Sequence, residues 1–211
     1  MTNFIPIFPL KIVVYPDERL KLHVFEARYK QMIQDCLADK KAFGIPGIIQ
    51  DEMKTHGTLM EVVAVDKTYT NGEMDIQVRG TSVFRILEVI EEVPEKLYAG
   101  AIVHYPKNTL TGSAALMKNV LRHIYALHKL MEVQREFSKP EARLRSYDVA
   151  HEAGLSLDQE YEMLCLFHEL QRQEYLRRHL RKVVSLMDGL EQLKARAKLN
   201  GHYRDLSAGD F

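Results

Sequence analysis

Hydrophobic positions change period along this chain, and the change divides it. The opening run, Phe4 to Leu10 and then Ile12 to Pro16, is bulky, apolar and β-forming, but Pro6, Pro9 and Pro16 interrupt it. Proline cannot donate to a sheet ladder, so the run is expected as edge or bulged strands and tight turns. After Leu22 to Glu26 the spacing becomes helical, with Tyr29, Met32, Ile33, Cys36 and Leu37 three or four residues apart. Residues 41–105 return to a β pattern. Ala42 to Ile49 reads as a short strand bent at Gly44, Pro46 and Gly47, and Gln50 to His56 as a polar loop. Gly57 to Val65 is a covered strand, and Asn71-Gly72 predicts a type I′ hairpin turn. Met74, Ile76 and Val78 then alternate with polar residues up to an interruption at Gly80, and Val83 to Ile90 and Ala101 to Tyr105 complete about six or seven strands.

Beyond Pro106 the β signal fades. Leu116, Val120, Ile124, Leu127 and Met131 mark one helix, broken by Pro140. A short second helix is expected from a Ser146 cap to a left-handed Gly154. A capping box of Ser156 and Gln159 opens a third, carrying Met163, Leu164, Leu166, Phe167 and Leu170. A last helix from about Arg172 to Leu199 stops at Asn200-Gly201, and the final ten residues read as frayed. Its Leu176, Leu180, Val183, Met187 and Leu190 form a stripe for packing on other helices or for homo-oligomerisation. The expected organisation is α+β: a β-rich domain at residues 1–107, a barrel or sandwich with one helix, then a helical bundle at 108–211 ending in a long helix.

Composition narrows the function. The chain has 211 residues, 46% hydrophobic and 27% charged, with net charge zero. Lys and Arg number 13 against 15 Asp and Glu in residues 1–110, and 16 against 14 in residues 111–211. That balance does not call for a polyanionic partner. Cys36 and Cys165 lie on apolar helix stripes and read as reduced core thiols. The start carries no basic-then-apolar leader, and no apolar run suits a membrane span, so a cytoplasmic protein without membrane contact is expected.

Catalytic constellations are missing from the sequence. It holds no phosphate-cradling Gly-rich loop and no Gly-x-Ser-x-Gly elbow. His168-Glu169 begins a zinc-protease pattern, but Arg172 stands where the second histidine belongs and cannot ligate a metal. Glu91 and Glu92 are adjacent on a strand and point to opposite faces, so they cannot converge on one substrate. No metal, no cofactor and no enzymatic activity are therefore expected. Arg177, Arg178, Arg181 and Lys182, with Arg172 before them, form the one basic stretch. They are the candidates for nucleic-acid binding. A solvated helix face paired with Glu174 is the plainer reading.

The segments Phe4 to Leu10, Val13 to Pro16, Leu22 to Tyr29, Gly57 to Val62 and Val78 to Ile86 together resemble the N-terminal substrate-recognition domain of Lon (La) proteases. The likeness is strong from residue 4 to about 90 and looser through the helices. Two departures are Asp17 after Pro16, where the family usually has glycine, and Ala27, where it commonly has proline. The resemblance implies a PUA-like β-barrel followed by a helical bundle. It also implies recognition of unfolded or exposed apolar polypeptide, adaptor- or holdase-like, in partnership with a protease or chaperone machine. Lon proteases continue into ATPase and peptidase modules whereas this chain stops at Phe211, so a stand-alone recognition protein is expected. The residues proposed to contact polypeptide are Phe8, Leu10, Tyr15, Phe25, Arg28, Tyr29 and Phe43. Of these, Phe8, Leu10, Phe25 and Tyr29 are expected in the core before they are expected at a contact surface, Tyr15 beside Pro16 is expected at the surface, and Arg28 is expected to pair with Glu26. RNA binding through the basic helix is the alternative. It needs a basic groove, and the slightly acidic β half does not favour one.

Overall fold

In a computed structural model, residues 3–206 are described; Met1, Thr2 and residues 207–211 lie outside that range, as do the side chains of Glu191, Ala195 and residues 198–206. The elements run β1 (Phe4–Pro6), β2 (Arg19–Val24), α1 (Ala27–Asp39), β3 (Phe43–Ile49), β4 (Glu52–Thr68), β5 (Met74–Ile90), β6 (Gly100–His104), α2 (Ala114–Leu130), α3 (Ser146–Val149), α4 (Leu157–Leu164) and α5 (Glu169–Leu206). They divide into two compact units. The first comprises the chain up to Thr111 with Leu155–Arg172, and the second Gly112–Gly154 with the residues from Gln173 on.

The first unit is built on one antiparallel sheet of order β1-β6-β5-β4-β3, with β2 added beside β5. β4 and β5 are 17 residues each, because the alternation after Asn71-Gly72 continues through Gly80. Gly80 pairs with Met60 inside the ladder. A Cβ there would lie 2.4 Å from the Tyr15 carbonyl oxygen. Glycine at 80 therefore admits the incoming chain and does not end the strand. Residues 7–10, continuing from β1, bridge in parallel to Gly44 and Gly47 of β3. The sheet thereby curls back onto its own first strand.

Two apolar cores result. One, beneath α1, gathers Phe8, Tyr29, Met32, Ile33, Phe43 and Ile76. The other, on the opposite face of the first strand, gathers Ile5, Ile7, Phe84, Ala101 and Val103. The alternation of the opening run decides this split, since consecutive side chains of an extended chain point to opposite faces. α1 buries the expected stripe of Tyr29, Met32, Ile33 and Cys36 and leaves Leu37 outside. It ends on Lys40 in the left-handed conformation, with the Lys41 N–H donating to the Cys36 carbonyl at 2.9 Å.

Local geometry corrects several expectations. Ile12 to Pro16 forms no strand; it crosses as irregular chain with Val13, Val14 and Tyr15 buried. Gln50 to His56 is mostly strand. Gln50 and Asp51, at φ 55° and 61°, make a tight turn between the paired Ile49 and Glu52. The register shift between Pro46 and Ile48 is the expected bend. At the second hairpin only Gly72 has positive φ (79°), so the loop closes by a Gly72 N–H to Tyr69 carbonyl bond and is not a type I′ turn.

In the helices, Ser113 caps α2 by accepting the Leu116 N–H. Ser156 and Gln159 form the expected box at α4, each side chain accepting the other's backbone N–H. Ser146 lies inside α3, where the Asp148 carboxylate accepts the preceding Arg145 N–H instead. Gly154 is left-handed, at φ 67°. The third and last helices meet in a break at 165–168 that bridges Thr109 to His168, so α5 starts at Glu169 and runs past Gly201 to Leu206. Leu176 and Leu180 are buried, while Leu186, Leu190 and Leu193 are exposed. The predicted stripe thus packs only along its first part.

Candidate functional site

The seven residues proposed from sequence do not converge on one surface. Phe8, Tyr29 and Phe43 are core, with the Phe8 and Tyr29 rings stacked at 3.9 Å between centroids and Phe43 at 6.3 Å from Phe8. Leu10 is partly buried against the same cluster. Tyr15, expected at the surface, is completely buried, and its hydroxyl donates to the Glu160 carbonyl of α4 at 3.0 Å. A partner 145 residues away supplies that burial, which no local signal announces. Phe25 is the opposite case, 60% exposed where a core position was the expectation. It follows β2, stacks beside His23 and leaves its ring in water. Arg28 pairs with Glu26, as expected, and also covers the Tyr29 ring at 4.5 Å.

The surface around Phe25 is therefore aromatic and acidic. His23 Nδ1 contacts Asp75 at 2.7 Å and its Nε2 lies 3.4 Å from Glu73, while the Tyr69 hydroxyl donates to the other Asp75 oxygen. The Asp75 hydrogen bond lifts the His23 imidazole above its usual pKa and lowers that of Asp75. Among the described residues, no three His, Cys, Asp or Glu side chains are placed to hold a metal ion.

A second feature was not legible in the sequence. Beside β1 the sheet leaves a cleft of about 430 Å³. Phe4 and Pro6 form one wall, Asp35 and Asp39 of α1 the other, with Leu59 and Tyr105 among the apolar residues between. Its origin lies in backbone chemistry. Asn3 and Ile7 face β6, through Val103 N–H to Asn3 O and Ile7 N–H to Ala99 O, whereas Phe8 and Leu10 face β3 and donate to Gly44 and Pro46. With a period of two, the main-chain groups of Phe4 and Pro6 face the β3 side as well. There β1 has only β6 as a strand partner, and Pro6 has no N–H to offer. The stitching to β3 starts with the Ile7–Gly44 bridge, which engages the Pro6 carbonyl and the Phe8 N–H, and the cleft occupies the stretch around Phe4 before it.

The rim is charged but internally matched. Lys96 contacts Asp35 at 2.8 Å, and Lys41 contacts Asp39 at 2.8 Å. Tyr98 donates to Asp35, and Gln31 of α1 accepts the Leu97 N–H, so the loop before β6 is strapped to α1. Lys96, then Tyr98, holds the Asp35 carboxyl below the usual carboxylate range. Burial, then Asp35, pushes the Tyr98 hydroxyl up. Burial also takes the Cys36 thiol up to about 11, too high for a nucleophile at neutral pH.

The basic helix resolves differently from its sequence. Arg172 is fully buried, ion-paired with Glu169 at 2.9 Å, and donates to Asn108, Thr109 and Leu166. It ties chain segments together and is not part of a solvated face. Arg177 and Arg178 both bond Glu174 at 2.7 Å and draw its carboxyl down to about 2. Arg181 and Lys182 are exposed. Half of the proposed cationic set is thus already engaged by a carboxylate.

The first unit, an antiparallel sheet curled around α1, has the fold of Lon N-terminal domains. A crystal structure of a Lon N-terminal domain protein from Xanthomonas campestris aligns with TM-score 0.61 and 24% identity over 82% of this chain and 96% of that one. The N-terminal domain of a Mycobacterium avium complex Lon protease aligns at 0.60 and 14% over 85% and 98%. The sequence matches the ATP-dependent protease La (LON) substrate-binding domain over residues 5–182, and the chain belongs to that family. No curated protein sequence matches it. Within the described residues, no helix is long and apolar enough to cross a membrane.

Proposed function

We propose that this protein is a non-catalytic polypeptide-recognition module that binds unfolded chains or exposed apolar segments, in the manner of an adaptor or holdase. Membership of the Lon substrate-binding domain family carries the reading. Two features of the first unit support it: an exposed aromatic, Phe25, at the end of β2, and the largely apolar cleft beside β1. Sheet edges next to apolar pockets suit extended peptides, because main-chain bonds give affinity for any sequence and the pockets select side chains. The pairing of Arg177 and Arg178 with Glu174 weighs against RNA as the ligand.

Titration of fluorescein-labelled, permanently unfolded casein, read by anisotropy at two salt concentrations, tests the proposal. Saturable binding that changes little with salt is expected. Binding confined to labelled single-stranded RNA and abolished by salt would overturn it, since phosphate contacts release counterions.

A further inference from the structure

We infer that the cleft beside β1 is where the polypeptide enters, and that it takes an extended, apolar, uncharged segment as an added strand on the Phe4–Pro6 edge. The inference rests on the polypeptide-recognition reading and gives it a place and a ligand chemistry. The backbone supplies the first argument. The Phe4 N–H and C=O face the β3 side, where no described strand pairs with β1, whereas the Pro6 C=O on that side is taken up by the Ile7–Gly44 bridge. An incoming strand there can bond to Phe4 in both directions, through its N–H and its C=O. Beyond Phe4 the same side of the chain is occupied by the Ile7–Gly44 bridge, in which Phe8 donates to Gly44 at 2.8 Å. The added strand is therefore short, ending where β3 takes over.

Side chains supply the second argument. The Phe4 ring is 42% exposed and lies over Gly100, where an added Cβ would come within 2.3 Å of two ring carbons. The glycine lets the ring lie flat against β6 and form a fixed wall. Leu59 and Tyr105, which pack with the Ile5 core, line the same space. At about 430 Å³ the cleft holds a few side chains and not a folded element.

Charge selects the occupant. The rim cations Lys41 and Lys96 are each bonded to a rim carboxylate, Asp39 and Asp35. The cleft thus presents no net charge to attract an acidic or basic peptide or a phosphate backbone. A charged side chain entering it would be desolvated without a new partner. A hydrophobic stretch in extended form gains by burial and by strand pairing together.

The test compares labelled casein binding to five forms of the full chain: wild type, Phe4→Asp, Ala42→Glu, Phe25→Asp and, as control, Leu87→Asp. A carboxylate at Phe4 or across the cleft at Ala42 is expected to weaken binding by about ten-fold or more, roughly the factor that 1.4 kcal/mol represents. Leu87→Asp, exposed on β5 and outside the cleft lining, should leave affinity within about two-fold, and Phe25→Asp asks whether the surface at the other end of α1 shares the binding. Thermal melts accompany each variant, and Ala42→Glu carries the test should Phe4→Asp prove unstable. Casein binding by wild type that both cleft variants retain would overturn the cleft while leaving polypeptide recognition standing, and a loss confined to Phe25→Asp would move the site to that surface. A wild type that binds no casein would overturn both.

Discussion

The two halves of the opening run make an instructive pair. Phe4–Pro6 and residues 7–10 share a composition and continue one extended path, yet they end in different environments. The later half is closed on both sides: it bonds β3 through Phe8 and Leu10, and Phe8 stacks on Tyr29 in the core. The earlier half has β6 as its strand partner, reaches β3 only at the Pro6 end through the Ile7–Gly44 bridge, and shows Phe4 to the surface. Hydrophobicity does not separate them. What separates them is whether a neighbouring backbone is present on the second side. Pro6, with no N–H, sits where a ladder to β3 would have to continue toward the N-terminus. An aromatic beside a saturated edge stabilises the fold, and an aromatic beside an open edge is available to bind.

Substitutions can break that contrast in graded steps. Phe8→Ala should cost about 3–5 kcal/mol in chemical denaturation, as expected for a buried aromatic. Gly44→Ala comes next. Its Cβ would meet the Phe84 ring at 2.7 Å and Ile5 at 2.8 Å, both buried, so about 1–3 kcal/mol of overpacking is expected. Phe4→Ala should cost less, within about 1 kcal/mol, because the ring is already half in water. A Phe4→Ala variant as unstable as Phe8→Ala would show that the two halves do not differ as described.

The smallest effect concerns pH. The folded-state pKa of Asp35 is depressed by Lys96 and Tyr98, so the strap between α1 and the loop before β6 is intact above the usual carboxylate range. It is lost as pH falls through the depressed value. Amide exchange at Leu97, whose N–H is held by Gln31, should quicken on acidification relative to Phe8 after correction for intrinsic rates. An Asn at position 35 should remove that difference.

Much of the fold was legible because it is written in local chemistry. The α1 stripe, the bend at Pro46, the Ser113 and Ser156 caps and the position of the second hairpin all follow from residues within a turn or two of one another. The rest depends on partners distant in sequence. Tyr15 is buried by α4, Gly80 remains in its strand because the Tyr15 backbone passes over it, and Arg172 belongs to an internal ion pair with Glu169. The Gln50-Asp51 turn was missed because neither residue favours positive φ by itself; the paired strands on either side impose it. The cleft was invisible for a related reason. It is defined by backbone groups that lack a strand partner, and side-chain patterns do not record them.

Residue-resolved amide exchange with and without saturating casein tests the central claim most directly. In the free protein the account predicts fast exchange at Phe4 and slow exchange at Ile7, Phe8 and Leu10, whose N–H groups are bonded. Casein should slow Phe4 strongly and leave the already protected residues and Phe25 unchanged. Protection appearing at Phe25 and its neighbours, with Phe4 still exchanging freely, would contradict it.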